Sequence, residues 1–196
     1  MFISVVHSLL SHSIPSIRRR AMELLSAKLQ HQSNFFALAQ DEGVLMELIP
    51  SLTTIANGQG SNEEAVLNQQ TAFFTLKLLC RFMGPTVSSS FRPVLDVVVE
   101  TISPTKTSST TVLASAFLCL AELIQNLGVL SLPHLPRYGP NLVARLGDMS
   151  SMENHDLLLL SVVTAVYKLV ETLPQFLVPY LPPILKQVNF LLLCSN

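Results

Sequence analysis

The chain has no tryptophan, three cysteines in 196 residues and only 13% charged residues, about half the charge of an average soluble protein. Cys80, Cys119 and Cys194 are odd in number, far apart and without paired spacing, which argues against a disulfide framework and a cysteine-based zinc site and fits a reducing compartment. Charge of one sign is also missing. A net charge of −1 supplies no global attraction for nucleic acid or an anionic membrane, so any such contact has to be local.

Long apolar runs are absent too. The best uncharged run, 107–121, opens on Thr107, Ser108, Ser109, Thr110 and Thr111, and the later run 175–185 is broken by Pro179, Pro182 and Pro183. Neither reads as a membrane span, and no membrane partner is expected. The amino terminus, Met1 to Val6, has no basic residue ahead of its apolar stretch and does not read as a secretory signal. Gly58 and Gly60 are close but have no following lysine, so there is no phosphate loop. His7, His12, His31, His134 and His155 are scattered, never at metal-ligand spacing with cysteine or carboxylate. No catalytic, cofactor-binding or metal residue is assigned, and no small-molecule substrate is expected.

What the chain has is apolar residues, 49% of the total, recurring at helical spacing almost everywhere. The pattern predicts an all-α protein with helices over 2–11, 15–30, 42–56, 63–83, 89–102, 109–127, 133–147, 156–172 and 175–193. Ser13 with Pro15, Asp41, Asn62 with Glu63 and Glu64, and Ser131 with Pro133 suit helix starts. Gly84 and Gly128, each tolerant of positive φ, and Pro174 suit stops. Polar turns at 57–61, 103–107 and 148–151 recur every second helix, so the units are helix pairs.

An internal repeat fixes their period. In the second helix of each pair a large apolar residue stands two before a proline and four before Leu or Ile: Leu48, Pro50, Leu52; Phe91, Pro93, Leu95; Tyr138, Pro140, Leu142; Tyr180, Pro182, Ile184. Successive prolines are 43, 47 and 42 residues apart, around the roughly 40–47 of HEAT and armadillo units. Such a proline is expected to kink its helix, with the aromatic before it packing in the core at the kink. First helices repeat as well: Ser115, Glu122 and Asn126 recur 46 residues on as Ser161, Lys168 and Thr172, a thin polar stripe on helices otherwise covered by neighbours. Glu122 and Lys168 could pair across repeats, though two residues on a solvated stripe is as good a reading.

The expected architecture is a HEAT/armadillo-type α-solenoid, one segment over 1–196. It holds about four helix pairs, near 13–57, 62–103, 108–148 and 154–193, with 1–12 the second helix of a preceding repeat. The apolar close, Phe190 to Leu193, does not suit a capping repeat and implies a segment of a longer solenoid. The dense positive patch is Arg18, Arg19 and Arg20. Three consecutive helical residues fan over roughly 200°, so they cannot all face one partner. A solvated, repeat-joining role stands beside contact with RNA phosphate or an acidic protein surface.

Ser13 to Leu29, with Ile14-Pro15-Ser16-Ile17-Arg18-Arg19-Arg20-Ala21-Met22-Glu23-Leu24-Leu25, then Leu120 to Ile124 with Gly128, then the proline-rich Leu132 to Val143, resemble the large nucleolar HEAT-repeat family of the small-subunit processome, toward its carboxy-terminal part. The resemblance implies a non-catalytic scaffold in ribosome biogenesis, supporting pre-rRNA processing and rRNA transcription. It implies location in the nucleus and nucleolus and partners among the proteins, and through local basic residues the RNA, of a pre-ribosomal ribonucleoprotein. The alternative is a HEAT adaptor of another pathway, nuclear transport or phosphatase regulation.

Overall fold

The computed structural model describes residues 2–31, 42–58, 60, 62–84, 87–106, 108–148 and 156–194. Nine α-helices and three 3₁₀ turns occupy them: α1 (Phe2–Leu10), α2 (Pro15–His31), α3 (Glu42–Ala56), α4 (Glu63–Met83), η1 (Ser88–Phe91), α5 (Arg92–Thr101), α6 (Thr110–Leu127), η2 (Gly128–His134), α7 (Leu135–Asp148), α8 (Asp156–Thr172), η3 (Pro174–Phe176) and α9 (Leu181–Cys194). No strand occurs among the described residues. The fold is the all-α, HEAT-type helical stacking that the apolar period requires.

The chain divides into two compact units, Met1–Val97 and Val98–Asn196. In the first, α2 lies against α4 and α1 against α3, while α1 also packs on α2 and α3 on α4. First helices thus form one layer and second helices another, with α1 in the second layer. Met22, Leu25, Leu29, Leu48, Leu52 and Phe73 are fully buried in this unit. The second unit repeats the plan, with α6 against α8 and α7 against both α8 and α9. Phe117, Leu120, Ile124, Tyr138, Val162 and Leu169 are its buried residues of that kind.

Helix ends follow the sequence with three corrections. Asn62 caps α4, its side chain accepting from Ala65 N at 2.8 Å, and Gly128 adopts φ 53° after α6, a conformation that favours glycine. Gly84, by contrast, ends α4 in the right-handed region at φ −50°, so positive φ is not what stops that helix. Ser131 does not start a helix. It lies inside η2 and donates to Gly128 O at 2.8 Å. The helix expected from 175 begins only at Leu181, after η3 and a turn. Asp41 falls outside the described residues.

The repeated proline also needs correction. Pro50 and Pro140 lie inside α3 and α7, but Pro93 and Pro182 are the second residues of α5 and α9. There the missing N–H is one no helical bond uses, and the fixed φ favours helix entry. Two of the four prolines therefore initiate helices instead of kinking them. The preceding residue is still a core anchor: Leu48, Phe91 and Tyr138 are fully buried, while Tyr180 is half-buried.

An 18-residue window within the helical stretch Thr110–Asp148, of mean hydropathy 1.7, is long and apolar enough to cross a membrane by length and composition alone. Glu122 interrupts the stretch, so no unbroken uncharged run marks it in the sequence. Two thirds of its apolar window, 67%, is buried inside the fold, the condition of a core helix.

Candidate functional site

Pro15 starts α2 straight after a tight turn in which His12 Nδ1 accepts from Ile14 N at 3.1 Å. This entry places Arg18 over the turn, where its Nη1 donates to His12 O at 2.8 Å and Ser13 O at 3.3 Å. Arg19 points elsewhere. Its Nη1 meets Glu64 Oε1 in the first turn of α4 at 2.9 Å, and its Nε lies 3.6 Å from Glu23 Oε1. Arg20 faces solvent with 76% of its side chain exposed and pairs with Glu23 Oε2 at 2.7 Å. The three guanidinium groups diverge, as the helical period demands. Arg18 braces a turn, Arg19 joins one repeat to the next, and Arg20 is the one of the three offered to solvent.

Beside Arg18 lies an open cavity of about 620 Å³, which the sequence did not reveal. Leu10, Pro15, Ile55, Glu64, Asn68 and Gln69 contribute to its lining. Asn68 and Gln69 are buried amides in the polar run Asn68–Thr71 of α4. Asn68 Nδ2 donates to Glu64 O at 2.8 Å and Gln69 Nε2 donates to Gly58 O, whereas the buried Asn68 Oδ1 has no partner. Three consecutive amides, Asn68 to Gln70, within the apolar period of α4 were the signal available.

The polar stripe of the first helices lies partly inward. Ser161 and Glu122 are buried, and Asn126 Nδ2 donates to Glu122 Oε1 at 2.9 Å. Lys168 Nζ pairs with Glu171 Oε2 on its own helix at 2.8 Å. That hydrogen bond raises the Lys168 pKa above its ordinary value, and the Glu122 charge adds to it as a smaller cause. The stripe is thus not the solvent face of α8. That face is apolar: Leu157, Leu160, Val163, Tyr167 and Val170, at spacings of three and four residues, are 40–63% exposed.

Among the described residues no group of three His, Cys, Asp or Glu side chains could hold a metal ion, and Cys80 and Cys119 are buried thiols. His134 is buried in η2 and His12 is engaged in its turn; His155 is outside the described residues. The surfaces described are therefore a divergent cation cluster, an open cavity of mixed polar and apolar lining and an apolar helix face.

No family model matches the chain. It is 38% identical over 189 residues to HEAT repeat-containing protein 1 of Homo sapiens, covering 95% of this chain and 9% of that protein. With the Danio rerio protein of the same name identity is 38% over 201 residues, 100% of this chain and 9% of the relative. With the Dictyostelium discoideum homolog it is 28% over 202 residues, with the same coverage, 100% and 9%. The chain spans about 9% of the length of these curated relatives. Stacked helix pairs and homology along nearly all of its residues agree, and the chain belongs with the HEAT-repeat proteins, as a homologue of a segment of HEAT repeat-containing protein 1.

Proposed function

We propose that the chain is a non-catalytic scaffold segment acting in ribosome biogenesis, within the nucleolar small-subunit processome, where it supports pre-rRNA processing and rRNA transcription. The observation that carries the scaffold reading is the homology to HEAT repeat-containing protein 1 at 38% identity over 95% of the chain. The step to ribosome assembly rests on the resemblance of Ser13–Leu29 and Leu132–Val143 to the nucleolar family. Partners are the proteins of a pre-ribosomal ribonucleoprotein. Arg20 is the residue of the basic cluster that supports an RNA contact, because its side chain stays 76% exposed while paired with Glu23, whereas Arg18 and Arg19 are turned onto protein groups and largely covered, and a phosphate needs an accessible guanidinium.

The test is affinity purification of the tagged chain from cell extract, with nuclease-treated and untreated halves compared. Co-purifying pre-ribosomal RNA and processome proteins are expected, with the proteins surviving nuclease. Recovery of transport cargoes or a phosphatase catalytic subunit in their place would reassign the chain to another HEAT adaptor class. A hydrolytic or transferase activity abolished by a single polar substitution would overturn the non-catalytic reading.

A further inference from the structure

Of the polar turns between helix pairs, the one at 103–107 carries a motif that ending a helix does not call for. It reads Ser103, Pro104, Thr105, Lys106, Thr107, whereas the turns at 57–61 and 148–151 contain no proline. Among the twelve prolines of the chain, Pro104 is the one that follows a serine or threonine. Helix α5 closes just before it, with Ile102 N donating to Val98 O at 3.0 Å and Ser103 N to Glu100 O at 3.2 Å. Pro104 and Thr105 are exposed, and Ser103 and Lys106 are half-buried. The Ser103 hydroxyl lies 2.8 Å from Thr105 Oγ1 and accepts from Thr105 N at 3.4 Å. Both contacts stay inside the turn, so no packed helix has to move for the hydroxyl to be reached.

We infer that Ser103 is a phosphorylation site for a proline-directed protein kinase, with ATP as the phosphoryl donor. Three residues divide the recognition. Pro104 brings no backbone N–H, so it suits an apolar pocket that would leave the N–H of any other residue without a partner. It also disfavours the α region for Ser103, which keeps the acceptor close to the extended form that a kinase cleft takes. Lys106, three residues on, supplies a cation for an acidic group beside that cleft, a charge pattern of the kind by which kinases sort substrates. In the transfer, Ser103 Oγ attacks the γ-phosphorus: the Oγ–P bond forms, the bond to the β–γ bridging oxygen breaks, ADP leaves and the hydroxyl proton passes to the catalytic aspartate of the kinase. The product carries about −1.5 to −2 charges. It takes the net charge of the chain from −1 to about −3 and places the new charge three residues from the exposed Glu100. Nothing in this site depends on a role in ribosome assembly, so failure of that reading leaves it standing.

The test is incubation of the folded, full 196-residue chain with a purified cyclin-dependent kinase, a proline-directed enzyme, and radiolabelled ATP, followed by mass mapping of the peptides. One phosphate on Ser103 is expected. Ser103→Ala abolishes it and Ser103→Thr retains it. Pro104→Ala lowers the rate by about tenfold or more, Lys106→Ala lowers it by about threefold, and Thr105→Ala leaves it within about twofold. All four positions follow the end of α5, so far-UV circular dichroism and the melting temperature stay as in the wild type. In the tagged chain recovered from dividing cells, the peptide containing Ser103 carries the phosphate and loses it when proline-directed kinases are inhibited. Incorporation confined to the heat-denatured chain, incorporation that survives Ser103→Ala or ignores Pro104→Ala, or absence of the phosphopeptide from cells overturns the proposal.

Discussion

Gly139 offers the sharpest test of how the second layer is packed. A Cβ built there would meet Tyr180 Cε1 at 2.8 Å and Cζ at 2.9 Å, closer than carbon atoms approach without displacement. Gly139 lies inside α7, so Gly139→Ala also gains intrinsic helix propensity, about 0.8–1 kcal/mol. Overpacking a seated ring costs about 1–3 kcal/mol, and the net expectation is a loss of about 1 kcal/mol. Removing the ring should reverse the sign: in a Tyr180→Ala background, Gly139→Ala should stabilise by about 0.5–1 kcal/mol. The chain supplies its own local probe, because it has no tryptophan and all three tyrosines, Tyr138, Tyr167 and Tyr180, lie in the unit Val98–Asn196. Tyrosine fluorescence during urea unfolding therefore reports that unit. At a slope near 2 kcal/mol/M, the wild-type-background loss appears as a midpoint lower by about 0.5 M. A stabilising Gly139→Ala in the wild-type background would refute the close ring contact, and an unchanged sign in the Tyr180→Ala background would refute its cause.

Three further outcomes follow from named contacts. Thr75→Val leaves Ser26 Oγ without the hydroxyl it now meets at 2.9 Å in the buried α2–α4 interface and should cost about 1–3 kcal/mol, whereas adding Ser26→Ala should recover most of it; urea unfolding by circular dichroism distinguishes the two. Arg18→Ala, which strips two turn carbonyls of their donor, should destabilise by about 1 kcal/mol, while the exposed Arg20→Ala should stay within about 0.5 kcal/mol and reduce RNA recovery in the purification instead. Burial raises the Tyr138 hydroxyl above its usual pKa of 10.0, against a smaller lowering from the Ser131 hydrogen bond. The unfolded chain ionises first as pH rises, so the stability held below pH 10 is lost through the folded-state pKa; Tyr138→Phe should flatten that alkaline fall in melting temperature.

Most of the helices were legible because their signals are local. The period of apolar residues, Asn62 at a cap and Gly128 after α6 are decided within a turn or two, and the structure follows them. What was missed depends on neighbours. Whether Pro93 and Pro182 kink a helix or begin one depends on 3₁₀ turns and irregular backbone just before them, which no period announces. Ser131 has the chemistry of a cap, yet its hydroxyl goes to Gly128 O inside η2. The candidate cluster was legible only in part: the fan of Arg18, Arg19 and Arg20 follows from helix geometry, but Glu64, the partner of Arg19, stands 45 residues away and is brought there by the stacking of α4 on α2. The cavity beside Arg18 and the apolar outer face of α8 belong to the same class, since both are made by which sides of a helix a neighbour covers.

Two stacked helices faced with leucine have no strong reason to prefer one longitudinal position over another a turn away. Sliding α2 along α4 by one turn, about 5.4 Å, would still put leucine on leucine at Leu25, Leu29, Leu76 and Leu79, all fully buried. The hydroxyl pair of Ser26 and Thr75 does not tolerate that slip, for it would strand the Ser26 hydroxyl among aliphatic side chains and leave Thr75 Oγ1 only its own-helix bond to Thr71 O. The slip would also draw Arg19 away from Glu64 at the end of the same interface. Two weak polar contacts, widely separated along one helix, thus act as a vernier: they add little to cohesion but specify alignment, and in an extended array small alignment errors accumulate from pair to pair.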